Sequence, residues 1–240
     1  MPLQAVAPQR LYRQIAEQLR VLIGNGEFAT GTRLPAERDL AKQLGVSRPS
    51  VREALIALEV AGWVEVRSGS GVYVQERKGV SNNRTTISDS AAAEWGPLEL
   101  IRARRVVEGE TAAIAARLAK RRDTDAMRAA IDQMAAYAAD GVMPLDGDRA
   151  FHTAVVQASG NSVLVETVQA FWDSRRGPVF ERLGGHFETA PSWRAAIGEH
   201  EVVLAAVRAR DASAARDAMH SHMDKAHARF SASWRRANKT

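Results

Sequence analysis

Four side chains of this 240-residue chain have the types and spacing of a divalent-metal site. Asp148 and His152 are four residues apart and so share one face of a helix. Further along, the stripe Ile197, His200, Leu204 and Val207 sets His200 among apolar residues. The stripe Ala215, Met219, His222, Ala226 and Phe230 does the same for His222. Three imidazoles and one carboxylate on the inward faces of three helices suit zinc, nickel or manganese. Three core histidines satisfied by their neighbours would meet the same pattern. His220 and His227 fall off the last stripe and His186 sits in a glycine-rich stretch, so all three are set aside.

A second polar group stands on an apolar stripe. Leu100, Arg104, Val107, Thr111, Ile114 and Leu118 recur at helical spacing, which turns the Arg104 guanidinium toward a core. That orientation is costly without an anion. Either an internal carboxylate such as Glu108 or the carboxylate of a ligand must meet it.

The third chemically suggestive group is basic and lies near the N-terminus. Arg48 and Arg52 are one turn apart, away from the apolar stripe Val51, Leu55 and Leu58, and Arg38 precedes them. A guanidinium at such a position can fork onto guanine O6 and N7 or bind phosphate. Singly, each arginine could equally be a solvated charge or a partner of Glu53 or Glu59.

These residues need elements to hold them. Leu11, Ile15, Leu19 and Leu22 predict a helix that stops at Gly24-Asn25-Gly26. A second helix starts in the segment from Leu34, with Pro35 near its beginning, and ends at Gly45. Ser47 caps a third that runs from Arg48 to about Ala61. Two helices joined by a glycine-containing turn make a helix-turn-helix. The alternating segments Trp63–Arg67 and Val72–Val74, joined by Ser68-Gly69-Ser70-Gly71, read as a β-hairpin wing. Beyond a polar stretch at 76–90 nearly every segment has helical period, including a last helix opened by Asp211. The expected organisation is a DNA-binding helix-turn-helix domain over 1–77, a linker over 78–92 and a helical domain over 93–235. The fold class is mainly α, with one small β-hairpin.

Composition excludes several classes. There are no cysteines, which removes disulfides, thiolate metal sites and cysteine nucleophiles. No stretch approaches the roughly 18 consecutive apolar residues of a spanning helix, and Met1 to Arg10 lacks a signal peptide's apolar core. A cytoplasmic protein without membrane contact is therefore expected. The net charge of +5 is denser at the N-terminal end, with 11 basic against 8 acidic residues up to Lys78. It permits nucleic-acid binding.

The segment PAERDLAKQLGVSRPSVREALIALEVAGWVEVRSGSGVYV resembles the winged helix-turn-helix of the GntR family of bacterial transcription regulators, over roughly residues 10 to 76. The resemblance implies that Arg38, Arg48 and Arg52 contact DNA and that Gly69 lies in the wing tip that enters the minor groove. Pro49, early in the third helix, departs slightly from the family pattern. The segments RARRVVE, DGDRAFHTAVVQASGN, EHEVVLAAVRARD and ARDAMHSHM resemble the C-terminal domain of the FadR subgroup, an antiparallel helical bundle, over roughly residues 93 to 232. On that resemblance Asp148, His152, His200 and His222 are metal ligands, and Arg104 and Asn161 lie at an effector pocket. The stretch FWDSRRGP (171–178), with Phe187 and Trp193, is similar to regulators that respond to hexuronates.

The reading is a homodimeric, carboxylate-responsive repressor of a sugar-acid or organic-acid catabolic operon, bound to double-stranded operator DNA at an inverted repeat and not an enzyme. Lactate, glycolate or a dicarboxylate are the alternative effectors. A metal-dependent hydrolase or lyase would also use histidines and a carboxylate, but it leaves the winged helix without a purpose. An architectural DNA binder leaves Arg104 and the inward histidines without one.

Overall fold

The computed structural model describes residues 10–67, 69–76 and 95–231. In chain order the elements are α1 (Leu11–Gly24), α2 (Glu37–Leu44), α3 (Arg48–Val60), β1 (Val64–Arg67), β2 (Gly71–Val74), α4 (Pro97–Leu118), α5 (Arg121–Ala139), α6 (Leu145–Gln157), α7 (Ser162–Ser174), α8 (Pro178–Phe187), α9 (Ala190–Arg208) and α10 (Ala212–Ser231). Most described residues are helical, as expected. The linker expected over 78–92 lies outside the described residues. Among the described residues no helix is long and apolar enough to cross a membrane.

The chain divides into two compact units. The first holds α1 to β2, the residues up to Pro97, and Gly177–His186; the second holds Leu98–Arg176 and Phe187–Ser231.

In the first unit α1 buries Tyr12, Ile15, Ala16, Leu19 and Ile23, and it packs on α3. Between α2 and α3, Gly45 takes φ 66°, a left-handed conformation that suits a residue without a Cβ. Ser47 then caps α3, its Oγ accepting from the Ser50 amide at 3.2 Å. β1 and β2 pair antiparallel with Val64 opposite Val74 and Val66 opposite Val72.

The structure departs from the sequence expectation in one place here. α2 begins at Glu37, two residues after Pro35, instead of at Leu34. The residues before it are claimed by the wing: the amides of Gly31 and Leu34 donate to the carbonyls of Val74 and Val72, and the Val74 amide donates to the Thr32 carbonyl. A backbone bridged to the wing in this way cannot also start a helix.

In the second unit α5 packs against α6 and α9, α9 against α10, and α6 against α7. Met127, Ile131, Met134, Phe151, Val155, Val203, Leu204, Val207 and Met219 are buried. Gly147, in the first turn of α6, sits where a Cβ would fall 2.6 Å from Met134 Cγ and 3.2 Å from the Ala130 carbonyl oxygen. Its bare backbone lets α6 press against α5, and the next residue is Asp148.

Candidate functional site

In the second unit α6, α9 and α10 bring Asp148, His152, His200 and His222 together, with one ligand-type atom from each lying within 4.8 Å of the others. All four are buried. Asp148 Oδ1 faces His152 Nε2 at 3.5 Å and His200 Nε2 at 3.3 Å, and those two nitrogens are 3.2 Å apart. The rings of His200 and His222 are centred 4.4 Å apart.

Two carboxylates behind the cluster set which imidazole nitrogen is bare. His222 Nδ1 donates to Glu199 Oε2 at 2.8 Å, and His152 Nδ1 meets Glu108 Oε2. With Nδ1 holding the proton, Nε2 of both rings presents a lone pair inward. Asp148 Oδ1 is buried and accepts no well-aligned hydrogen bond. Lone pairs converging on one dry spot repel one another unless a cation sits among them, so the four residues could hold a metal ion, in the carboxylate–histidine arrangement usual behind metal ligands.

The electrostatics of His200 and His222 agree, and those of His152 oppose it. Burial, helped by the neighbouring His200, pushes His222 down to about 3, and burial also lowers His200. Against the cost of burial, Arg104 and His152 hold Glu108 at about 2, and Arg175 keeps Asp148 well below the usual carboxylate range. For His152, Glu108 and Asp148 outweigh burial and raise it.

Arg104 resolves the choice left open by its stripe in an unexpected way. Its Nε donates to Glu108 Oε1 at 2.6 Å, so the internal partner exists. Nη2 of the same buried guanidinium has no hydrogen-bond partner. Glu108 thus links Arg104 to His152 while one face of the guanidinium stays unused. Trp172 lies under it, 4.4 Å from Arg104 Cζ to the ring centre and 4.8 Å from that of Arg175, with its own buried Nε1 also unpartnered. Arg175 donates to Asp148 Oδ2 at 2.5 Å and to Glu188 Oε1 at 2.8 Å, which orients Asp148 with Oδ1 inward.

Asn161 is placed differently. Its carboxamide oxygen caps α7, accepting from the amides of Val163 and Leu164 at 3.0 and 3.3 Å, and the residue is exposed. It lies beyond the C-terminal end of α6, whereas Asp148 is in the first turn of that helix. Sequence reasoning passed over Glu199, and it took in Trp172 and Arg175 only as members of the stretch FWDSRRGP, without a role for either. The signal for Glu199 was its place beside His200.

In the first unit Arg38, Arg48 and Gly69 line one groove of about 300 Å³ together with Arg33, Glu37 and Gly71. Arg38 and Arg48 are exposed and Gly69 has φ 74°. Arg52 is not in this groove lining. Expected on the outward face of α3, it is 1% exposed, because Glu37 of α2 reaches over and takes its guanidinium on both carboxylate oxygens. Glu59, weighed as a partner for the α3 arginines, instead accepts from Arg182, His186 and the Val66 amide.

Comparison with known proteins matches residues 11–74 to the family described as bacterial regulatory proteins, gntR family, and residues 99–225 to the FCD domain. The chain belongs to the GntR family. It is a DNA-binding transcription regulator with an FCD domain, and not an enzyme. It is 38% identical over 224 residues to the Uxu operon transcriptional regulator of Escherichia coli K12, covering 92% of this chain and 86% of that one. To the Exu regulon transcriptional regulator of the same strain it is 34% identical, covering 92% and 85%. The putative L-lactate dehydrogenase operon regulatory protein of that strain is 33% identical, covering 92% and 87%. Among solved structures, E. coli McbR/YncC matches with a TM-score of 0.50 at 23% identity, covering 92% of this chain and 97% of that one, a likeness of fold.

Proposed function

We propose that this regulator is a hexuronate-responsive repressor of a sugar-acid catabolic operon, acting in the cytoplasm as a homodimer on an inverted repeat. Its relatives supply the sugar-acid class: two of the most similar are named for the Uxu operon and the Exu regulon. Two-fold symmetry in the operator mirrors two-fold symmetry in the protein. Arg38, Arg48 and Gly69 face the DNA, and Arg52 contributes through its pair with Glu37, reaching DNA only where that pair opens.

Asp148, His152, His200 and His222 are the ligands of one divalent ion, of the zinc, nickel or manganese type, which supplies positive charge for a ligand's carboxylate. Arg104 holds that carboxylate from the protein side. The observation that carries this is the buried, unpartnered Nη2 of a guanidinium already tied through Glu108 to His152. The free indole N–H of Trp172 beside it gives a second donor suited to a hydroxylated acid. Asn161 has only its amide nitrogen left for a ligand, its oxygen being committed to the cap.

Calorimetric titration of the zinc-loaded protein with galacturonate, glucuronate, L-lactate and glycolate tests the reading. Saturable binding of a hexuronate, lost in Arg104→Ala, is expected. Binding of lactate in its place transfers the reading to the lactate class, which the 33% identical relative favours; no binding of any acid removes the effector assignment.

A further inference from the structure

The groove beside the wing contains a cation that the DNA contacts above do not use. Arg33 comes from the strand-like segment before α2 and bridges to Tyr73 of β2. Its guanidinium lies over Gly71, where a Cβ would fall 2.4 Å from Arg33 Nε and 3.0 Å from Cζ. Glycine at 71 therefore leaves the space that this side chain fills, and φ 134° there is a backbone state that L side chains rarely adopt. Arg33 is exposed, and it shares the groove with Arg38, Arg48 and Gly69.

The charge in that groove is one-sided. Among the residues that line it the single acid is Glu37, and both of its oxygens are taken by Arg52. Among the described residues no carboxylate pairs with Arg33 or Arg48, and Arg38 has only its exposed neighbour Asp39 at 3.2 Å. Three guanidinia thus face one groove with their only internal counter-charge already neutralised. Such an arrangement favours a polyanion that releases counterions when it is bound.

We infer that Arg33 is a further DNA-contacting residue, binding a backbone phosphate of duplex DNA next to the wing. It stands on the strand side of the groove and not on the recognition helix, so it positions the duplex instead of reading a base. The inference rests on the DNA-facing assignment of Arg38, Arg48 and the wing.

Fluorescence anisotropy with a labelled duplex of arbitrary sequence, about 30 base pairs long, measures the effect across a salt series. Arg33→Ala should weaken binding several-fold at low salt and reduce the slope of log affinity against log salt by about one. Arg33→Lys, which keeps the charge, should retain the slope. Arg121→Ala, which removes the same charge from a side chain 95% exposed on α5, should leave binding unchanged. If Arg33→Ala coincides with Arg121→Ala, or if Arg33→Lys behaves as Arg33→Ala does, Arg33 is not a phosphate contact. Should its loss matter for one duplex sequence and not another, the residue reads a base and the phosphate assignment is overturned. Failure of the wild-type protein to bind any duplex would strike the DNA-facing assignment itself.

Discussion

Arg52 of α3 donates two hydrogen bonds to Glu37 of α2, Nε to Oε1 at 2.9 Å and Nη2 to Oε2 at 2.7 Å, with side-chain exposures of 1% and 8%. The pair ties the two helices of the helix-turn-helix together by a fork that only arginine can supply. It also neutralises the single acid of the groove lined by Arg33, Arg38 and Arg48.

Arg52→Ala leaves Glu37 buried and unpaired. Breaking a buried pair in this way costs about 3–5 kcal/mol, so urea unfolding of the first unit should shift strongly and DNA affinity should fall for every sequence alike. Selective relaxation at one base pair, with stability intact, would show instead that the pair opens and that Arg52 reads DNA.

Metal content discriminates the buried His222 of α10 from the half-buried His220, whose ring packs against Gly109 of α4. Protein purified without a histidine tag should carry about one divalent ion per chain by elemental analysis, and binding at 100 times Kd should stabilise it by about 2.7 kcal/mol. His222→Ala should lower both metal content and melting temperature, and His220→Ala neither. Glu199→Gln, which removes the negative charge behind His222 and no ligand, should weaken metal binding about 10–100-fold. Equal effects at 220 and 222 would refute the helical-face argument.

On the proposed function, Arg104 should carry the effector response. An effector can shift DNA affinity only by its differential affinity for two states, typically worth about 1–3 kcal/mol, and the coupling is reciprocal. If galacturonate releases DNA taken from upstream of the chain's own gene, saturating DNA must weaken galacturonate binding by the same factor. Arg104→Ala should abolish the response while ligand-free DNA affinity stays near wild type. A mutant that responds as wild type does would make Arg104 a structural partner of Glu108 alone.

Acid should loosen the first unit through Glu59. Burial works against its ionisation, but hydrogen bonds from His186 and Arg182 hold the carboxyl at about 2, below the ordinary 4.5. Because the folded value is depressed, the stabilisation is complete above the unfolded value of 4.5 and is lost as pH falls from there toward 2. The stability difference between wild type and Glu59→Gln, measured by urea unfolding, should therefore be largest at pH 7 and shrink by pH 3. A difference independent of pH would assign Glu59 a packing role.

Local rules were enough for much of this protein. The 3.6-residue period set His200 and His222 on inward stripes and put Asp148 a turn from His152, because a helix fixes which residues share a face whatever packs against it. Gly45 and Ser47 punctuated the helix-turn-helix, since a left-handed backbone and an N-cap are requirements of the residues themselves.

What the tertiary structure alone decided concerns partners distant in the chain. The start of α2 was set by hydrogen bonds to a strand some 40 residues later in sequence, which outweigh the helical propensity of Leu34-Pro35-Ala36. Arg52 reads from its period as an outward arginine; it is buried because Glu37, brought over by the turn, covers it. Glu199 carries no motif and Trp172 only that of FWDSRRGP, and their part in the cluster exists only once α10 meets α9 and α7 meets α4 and α6. Nothing in the sequence separates α8 from its neighbours, yet all of it but Phe187 groups with the winged-helix unit, where Arg182 and His186 meet the Glu59 carboxylate near the end of α3. Periodicity specifies a face; which charge that face meets depends on chain segments that no local pattern encodes.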